Sequence, residues 1–255
     1  MAEDVLWSRL TAAELNERAK HDAIVILPVA STEQHGPHLG TGVDAILCAE
    51  ACRRTAVRVA EVRPVVVAPC VWMGLAEHHV ALGGTFTLTL STWHALLRDL
   101  CQSIKRAGFA RIVIVNGHGG NMAALSALTT DLTRETGLGI ATTSYWSLAH
   151  DTGAFAKILE RQTGVQHACE AETSMMMAVA PDHVRGDRLS QAFGADLPMG
   201  VALGGPLNRW RSFQELTPSG VLGDARVASA AKGEQLLDAA AELLAEQLLA
   251  GKPWA

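Results

Sequence analysis

Residues 23–38 read AIVILPVASTEQHGPH. The first seven, Ala23 to Val29, form a short run rich in Ile and Val, as expected of a strand buried on both faces. Directly after it the chain turns polar, and Glu33, His35 and His38 follow within nine residues. A buried strand that empties into a loop of titratable side chains is the pattern of an open α/β sheet. In such sheets the ligand crevice lies beyond the carboxyl ends of the strands.

The pattern repeats on either side of this stretch. Upstream, Thr11-Ala-Ala-Glu14 is a capping box that starts a helix running to Lys20. Downstream, Val43 to Ala60 has helical spacing, Val65 to Cys70 reads as a second strand, and Ser91 can cap a helix that Gly108 ends. Ile112 to Val115 reads as a third strand, Asn121 to Gly137 brackets a helix, and Ile140 to Tyr145 reads as a fourth strand. A helix over Glu172 to Ala180 stops at Pro181, and a long Ala/Leu/Glu helix covers about Ala228 to Ala250. Strands alternating with amphipathic helices predict a mainly parallel sheet covered on both faces. No linker or repeat divides residues 1–255, so a single domain is expected. Segment 184–226, rich in Gly and Pro, reads as an excursion that shapes a pocket or an oligomer contact.

Composition narrows the function classes. Lys+Arg 21 against Asp+Glu 26 gives a net charge of -5 with no basic run, which speaks against nucleic-acid binding. The apolar run Ala23 to Ala30 is far shorter than the roughly 20 residues of a membrane-spanning helix. Glu3 and Asp4 stand where a signal peptide carries positive charge. The five cysteines form no CxxC pair and read as reduced thiols, so a cytoplasmic protein is expected.

Three clusters carry chemistry. In the first loop Glu33 and His35 are two apart, so in extended chain they point the same way; Asp44 opens the next helix and returns the chain to the crevice. In the second, Asn116-Gly117-His118-Gly119-Gly120-Asn121 places His118 between glycines that let a backbone crowd a ligand. That loop reads equally as an anion nest before a helix start. In the third, His167, Glu170 and Glu172 surround a helix N-terminus; helical periodicity from about Ala168 puts Glu172 and Glu170 on different faces. Glu33, His35, Asp44, His118 and Glu172 together are two imidazoles and three carboxylates. Such a set suits zinc, manganese or iron rather than a structural thiolate site. Five ligands exceed one open catalytic zinc and match two divalent ions roughly 3.5 Å apart.

The motifs Ala30-Ser-Thr-Glu-Gln-His-Gly-Pro-His38 with Asp44, Asn116-Gly-His-Gly-Gly-Asn121, and His167-Ala-Cys-Glu-Ala-Glu-Thr-Ser174 resemble the signatures of the creatininase (creatinine amidohydrolase) family, in order and spacing, over roughly residues 20–185. The resemblance implies a three-layer α/β/α sandwich, a homo-oligomer (a hexamer), and a binuclear metal centre that hydrolyses small amides through a bridging hydroxide. It implies Glu33, Asp44 and His118 as ligands of one ion and His35, Asp44 and Glu172 as ligands of the other, with Asp44 shared. His167 corresponds to the family's catalytic histidine and Trp146 to a pocket tryptophan. Creatinine-hydrolysing members carry Tyr and Glu where this chain has Gly119 and Gly120, so creatinine itself is disfavoured. Gly119, Gly120 and Trp146 are expected at the substrate, a cyclic amide, lactam or formamide.

The Gly-Gly form also resembles branches acting as formamidopyrimidine deformylases or as a peptidase that trims a peptide-derived redox cofactor. With the post-histidine carboxylate missing, Glu170 is the expected substitute in proton transfer, beside His167. Three alternatives stay open: a non-catalytic anion- or metabolite-binding protein on the same fold, a phosphatase or nuclease, and a cysteine mechanism through Cys169. No Lys or Arg beside the motifs supports phosphate chemistry. Glu77-His78-His79 can line the pocket rim, but a solvated loop is the preferred reading, and Met175 to Met177 reads as core packing.

Overall fold

The computed structural model describes residues 4–197 and 209–254. Strands β1 (Ile24–Val29), β2 (Val65–Val67), β3 (Arg111–Asn116) and β4 (Gly139–Ser144) form one sheet in the order β2-β1-β3-β4. All three pairings are parallel, with Ile24 opposite both Val65 and Arg111, and Arg111 opposite Gly139. Every residue of β1 is buried, because the strand is central and both its faces are covered.

One face carries α2 (Val43–Ala60), α6 (Glu170–Val179) and the C-terminal helix Ala230–Leu249, packed on Ile24, Ile26, Val113 and Val115. The other carries α1 (Ala12–Lys20), α3 (Leu90–Arg106) and α4 (Met122–Thr136), packed on Val25, Leu27, Ile112 and Ile114. Alternate residues of the same strands thus feed opposite cores. The chain is a three-layer α/β/α sandwich. A short helix, α5 (Ser147–Asp151), follows β4. No helix among the described residues is long and apolar enough to cross a membrane.

Local signals set most boundaries. The Thr11–Glu14 capping box forms in full, and Gly137 ends α4 in the left-handed region with φ 69°. The α3 cap is Thr89 rather than Ser91; its hydroxyl accepts the Thr92 N–H, and Ser91 lies inside the helix. Strand β2 stops at Val67, three residues before the expected Cys70. Segment 184–226 lies partly outside the described residues. Its described parts hold 3-10 turns and a short helix, Phe213–Leu216.

Candidate metal centre

Parallel strands bring all their following loops to one end of the sheet. The loop after β1 is held there by backbone bonds: Glu33 N–H donates to Thr41 O, Gly40 N–H to His183 O, and Arg185 N–H to His38 O. Its turn needs a glycine, since Gly36 has φ +66° and a Cβ would strike Val221. Asp44 lies in the first turn of α2, where the helix dipole favours a carboxylate. That turn meets the β3 loop so closely that a Cβ on Gly117 would come within 2.8 Å of the Asp44 carbonyl oxygen.

The Asn116–Asn121 motif builds a small cage. Asn116 donates through Nδ2 to His118 O and accepts through Oδ1 from His118 N–H and from Asn121 Nδ2. Asn121 also donates to Ala30 O and accepts from Leu75 N–H, so one side chain ties three loops. Gly119 and Gly120 form a 3-10 turn with negative φ, not the left-handed backbone of an anion nest. Gly120 is needed for space: a Cβ would collide with the Leu75 carbonyl and the rings of His118 and His78.

The five expected ligands converge, all at most 4% exposed. His118 Nδ1 is 2.9 Å from Glu33 Oε2 and 3.1 Å from Asp44 Oδ2. His118 Nε2 lies 3.2 Å from Leu75 O, an acceptor only, so Nε2 carries a proton and Nδ1 is the nitrogen turned to the two carboxylates. His35 repeats the device. Its Nδ1 is 3.1 Å from Glu33 O, which leaves Nε2 3.2 Å from Asp44 Oδ1 and 3.9 Å from Glu172 Oε1.

Glu33 Oε2, His35 Nε2, Asp44 Oδ2 and Glu172 Oε2 are buried without a hydrogen-bond partner. Among the described residues the ion pairs of these three carboxylates are all with histidines. Buried carboxylate oxygens left without a partner are costly unless a cation completes them. Asp44 offers one oxygen to each set, and each imidazole is oriented by a backbone carbonyl, as metal-ligating histidines are. The donor set therefore fits divalent cations.

The electrostatics agree. Burial opposes charge on His35 and His118, but Asp44 and Glu172 push His35 well up, and Glu33 and Asp44 push His118 up to about 10. Burial works against Asp44 too, yet His35 and His118 hold it below the usual carboxylate range. The pocket thus draws positive charge strongly.

His167 stands over the same cluster. Its Nδ1 is 3.5 Å from Glu33 Oε1 and its ring lies 4.2 Å from that of His35. Burial, then the His35 charge, lowers its pKa well below the ordinary value, so it is a neutral imidazole. It precedes Ala168, a non-glycine residue at φ 50°, a conformation that costs about 1–3 kcal/mol and clusters at functional sites.

Glu170 does not join the cluster. Its carboxylate accepts from Glu160 N–H at 3.0 Å and Arg161 N–H at 2.8 Å, and pairs with Lys232 Nζ at 2.7 Å. Both oxygens are used on the far side of α6, the expected consequence of lying two residues from Glu172 on a helix. The expectation that it substitutes for a missing proton carrier is corrected by this geometry. Trp146 follows β4 at the same end of the sheet, half-buried and edge-on to Tyr145.

His79 is the residue that sequence reasoning missed. It sits in a 3-10 turn, Glu77–Leu82, and is 1% exposed rather than in a solvated loop. Its Nε2 lies 3.2 Å from Glu33 Oε1. His78, also expected in solvent, stacks on the His118 ring at 5.5 Å in the space beside Gly120. Doubled histidines after a strand were the available signal. Cys169 is fully buried, and burial pushes its thiol up to about 12, so it is no thiolate nucleophile.

Comparison with known proteins agrees with this geometry. The family model Creatininase: Creatinine amidohydrolase matches residues 8–248. The chain belongs to the creatininase family. It is 31% identical to the mycofactocin precursor peptide peptidase of Mycobacterium ulcerans over 83% of this chain and 79% of that protein. It is 29% identical to the creatinine amidohydrolase of Pseudomonas putida over 97% of both. A crystal structure of creatinine amidohydrolase superposes with TM-score 0.82 at 26% identity, over 99% of this chain and 100% of the other. Further solved creatininases are described as a Zn-Zn type and as a Mn form. As a creatininase-family amidohydrolase, the chain carries the donor cluster where the family's fold opens its loops.

Proposed function

We propose that this chain hydrolyses a C–N amide bond with two divalent ions, Zn²⁺ or Mn²⁺. Glu33, Asp44 and His118 would hold one, and His35, Asp44 and Glu172 the other. The observation that carries the reading is the convergence of buried polar atoms that lack a hydrogen-bond partner, Glu33 Oε2, His35 Nε2, Asp44 Oδ2 and Glu172 Oε2. Such a pair of ions supplies activated water at neutral pH and polarisation of the amide oxygen.

The chain's own residues do the rest. The Asn116–Asn121 cage and the Leu75 carbonyl keep His118 in one orientation. His167 keeps its proton on Nε2, 2.9 Å from Gln34 O, and turns the Nδ1 lone pair inward. A neutral imidazole so placed can take a proton from the attacking water and pass it to the leaving nitrogen. Burial of every donor keeps bulk water from competing.

Creatinine is not the favoured substrate. The family resemblance implies Tyr and Glu in creatinine-hydrolysing members where this chain has Gly119 and Gly120, and the room beside Gly120 is already filled by His78, His118 and Leu75. A small amide, lactam or formamide is the first reading. A short peptide is the second, favoured by the mycofactocin precursor peptide peptidase at 31% identity. Protein loaded with Mn²⁺ or Zn²⁺ should cleave at least one member of a panel of lactams, cyclic ureides, formamides and short peptides. It should turn over creatinine more slowly, and dialysis against a chelator should abolish the cleavage. A loaded protein that cleaves none of them, or one that retains no ion, overturns the proposal.

A further inference from the structure

Two histidines approach the same carboxylate oxygen. His79 Nε2 is 3.2 Å and His167 Nδ1 is 3.5 Å from Glu33 Oε1, and their rings lie 4.5 Å apart. Both are also in contact with one residue, Gln34, which stands between Glu33 and His35 in the sequence. The Gln34 side chain is fixed in orientation: Oε1 accepts the Gly36 N–H at 3.0 Å, so the NH₂ group must face the other way. There it lies 2.9 Å from His79 Nδ1 and 3.3 Å from Gly220 O.

An NH₂ group only donates, so His79 Nδ1 must accept and the His79 proton sits on Nε2, pointed at Glu33 Oε1. The Gln34 carbonyl only accepts, and it lies 2.9 Å from His167 Nε2, so the His167 proton is there. The Gln34 NH₂ also lies 3.0 Å from His167 Nε2, but its two hydrogens are taken by His79 Nδ1 and Gly220 O, and a lone pair on His167 Nε2 would face the Gln34 carbonyl. Both rings therefore have the same tautomer but show Glu33 opposite faces, an N–H from His79 and a lone pair from His167.

We infer that Gln34 and His79 are positioning residues: through its side chain and its backbone carbonyl, Gln34 locks both histidines as Nε2–H tautomers, and the His79 N–H then occupies Glu33 Oε1 so that Oε2 alone is left for a cation. This rests on the cation site proposed above. It fits the absence of a hydrogen-bond partner at Oε2 and the approach of His79 Nε2 to Oε1 at 3.2 Å. It also accounts for the half-buried Gln34 between buried Glu33 and His35, a side chain that would otherwise be free to point to solvent. Phe213 closes the pair from above, with ring centroids 4.1 Å from His79 and 4.8 Å from His167, and excludes water that would scramble the tautomers.

The test is ¹⁵N NMR of histidine-labelled protein, first free of zinc and then titrated with zinc alone. In zinc-free wild type, His79 and His167 should each show a protonated Nε2 and a bare Nδ1. Gln34→Leu keeps the backbone carbonyl, so His79 should become a tautomer mixture while His167 stays fixed. His79→Leu should weaken zinc binding, measured by chelator competition, by roughly 10- to 100-fold. His79→Gln keeps an N–H donor and should recover most of that loss. An Nδ1–H His79, an unchanged His79 spectrum in Gln34→Leu, or a His79→Leu affinity equal to wild type overturns the inference. So does zinc replacing the His79 Nε2 proton, which would make His79 a ligand. Failure of amide cleavage leaves the zinc-free spectra to be read, so the two proposals fall separately.

Discussion

Glu170 and Glu172 lie two residues apart on α6, both buried, and have opposite fates. Glu170 has an internal cation, Lys232, and two backbone N–H donors. Among the described residues the ion pair of Glu172 is with the His35 imidazole, 3.9 Å from one oxygen, and its other oxygen has no hydrogen-bond partner. The first carboxylate is complete and holds the α6 start against the C-terminal helix and the 160–161 turn. The second is incomplete and is finished only by something from outside. A buried charge with its partner built in is architecture, whereas one left without is a binding site.

That contrast can be broken most easily at Asp44, which serves both sets of donors. Loss of a residue that merely orients a ligand costs about 10- to 100-fold, and in the proposed site Asp44 would itself be a donor to both ions. Asp44→Ala should therefore lower turnover more than roughly 100-fold and reduce bound metal, read by elemental analysis, from about two ions per chain to less than one. Two ions retained would show that Asp44 is not shared.

The next effect belongs to Glu170. Glu170→Gln should leave metal content unchanged but lower the melting temperature. Removing one side of a buried pair costs about 3–5 kcal/mol, which in a chain of this size is on the order of 10 °C. Differential scanning calorimetry beside elemental analysis distinguishes the two carboxylates. Loss of metal with no loss of stability would reverse the assignments. The smallest effect is expected one residue earlier. Cys169→Ala should leave turnover essentially unchanged, and iodoacetamide at neutral pH should not inhibit. The thiol has no exposed surface, and burial, with the Glu172 charge adding to it, pushes its pKa up to about 12.

Much of the fold was legible before any coordinates. The expected span of α2, Val43 to Ala60, is the observed one. The capping box at Thr11 formed because its two partners are three residues apart and need nothing distant. Boundaries failed where neighbouring residues offer the same chemistry, as with Thr89 and Ser91, both hydroxyls able to cap. Glu170 was misjudged because its partners, Glu160, Arg161 and Lys232, are spread over 73 residues of sequence, from 160 to 232. His79 was missed for a related reason. A histidine in a loop reads as solvated unless something is known to cover it, and Phe213 covers it from 134 positions away.

The residue types alone settled which donors are present, because imidazole and carboxylate at the ends of buried strands are local facts about chemistry and periodicity. They also settled that the sheet is parallel, since strands joined by helices must cross over to the same end. Direction was another matter. Which oxygen of Glu33 is left over, which face of His167 turns inward, and whether Glu170 looks into the pocket or away depend on carbonyls, rings and a lysine brought from distant parts of the chain. Hydrogen-bond direction is set by the partner across space, so it exists only once the chain has folded.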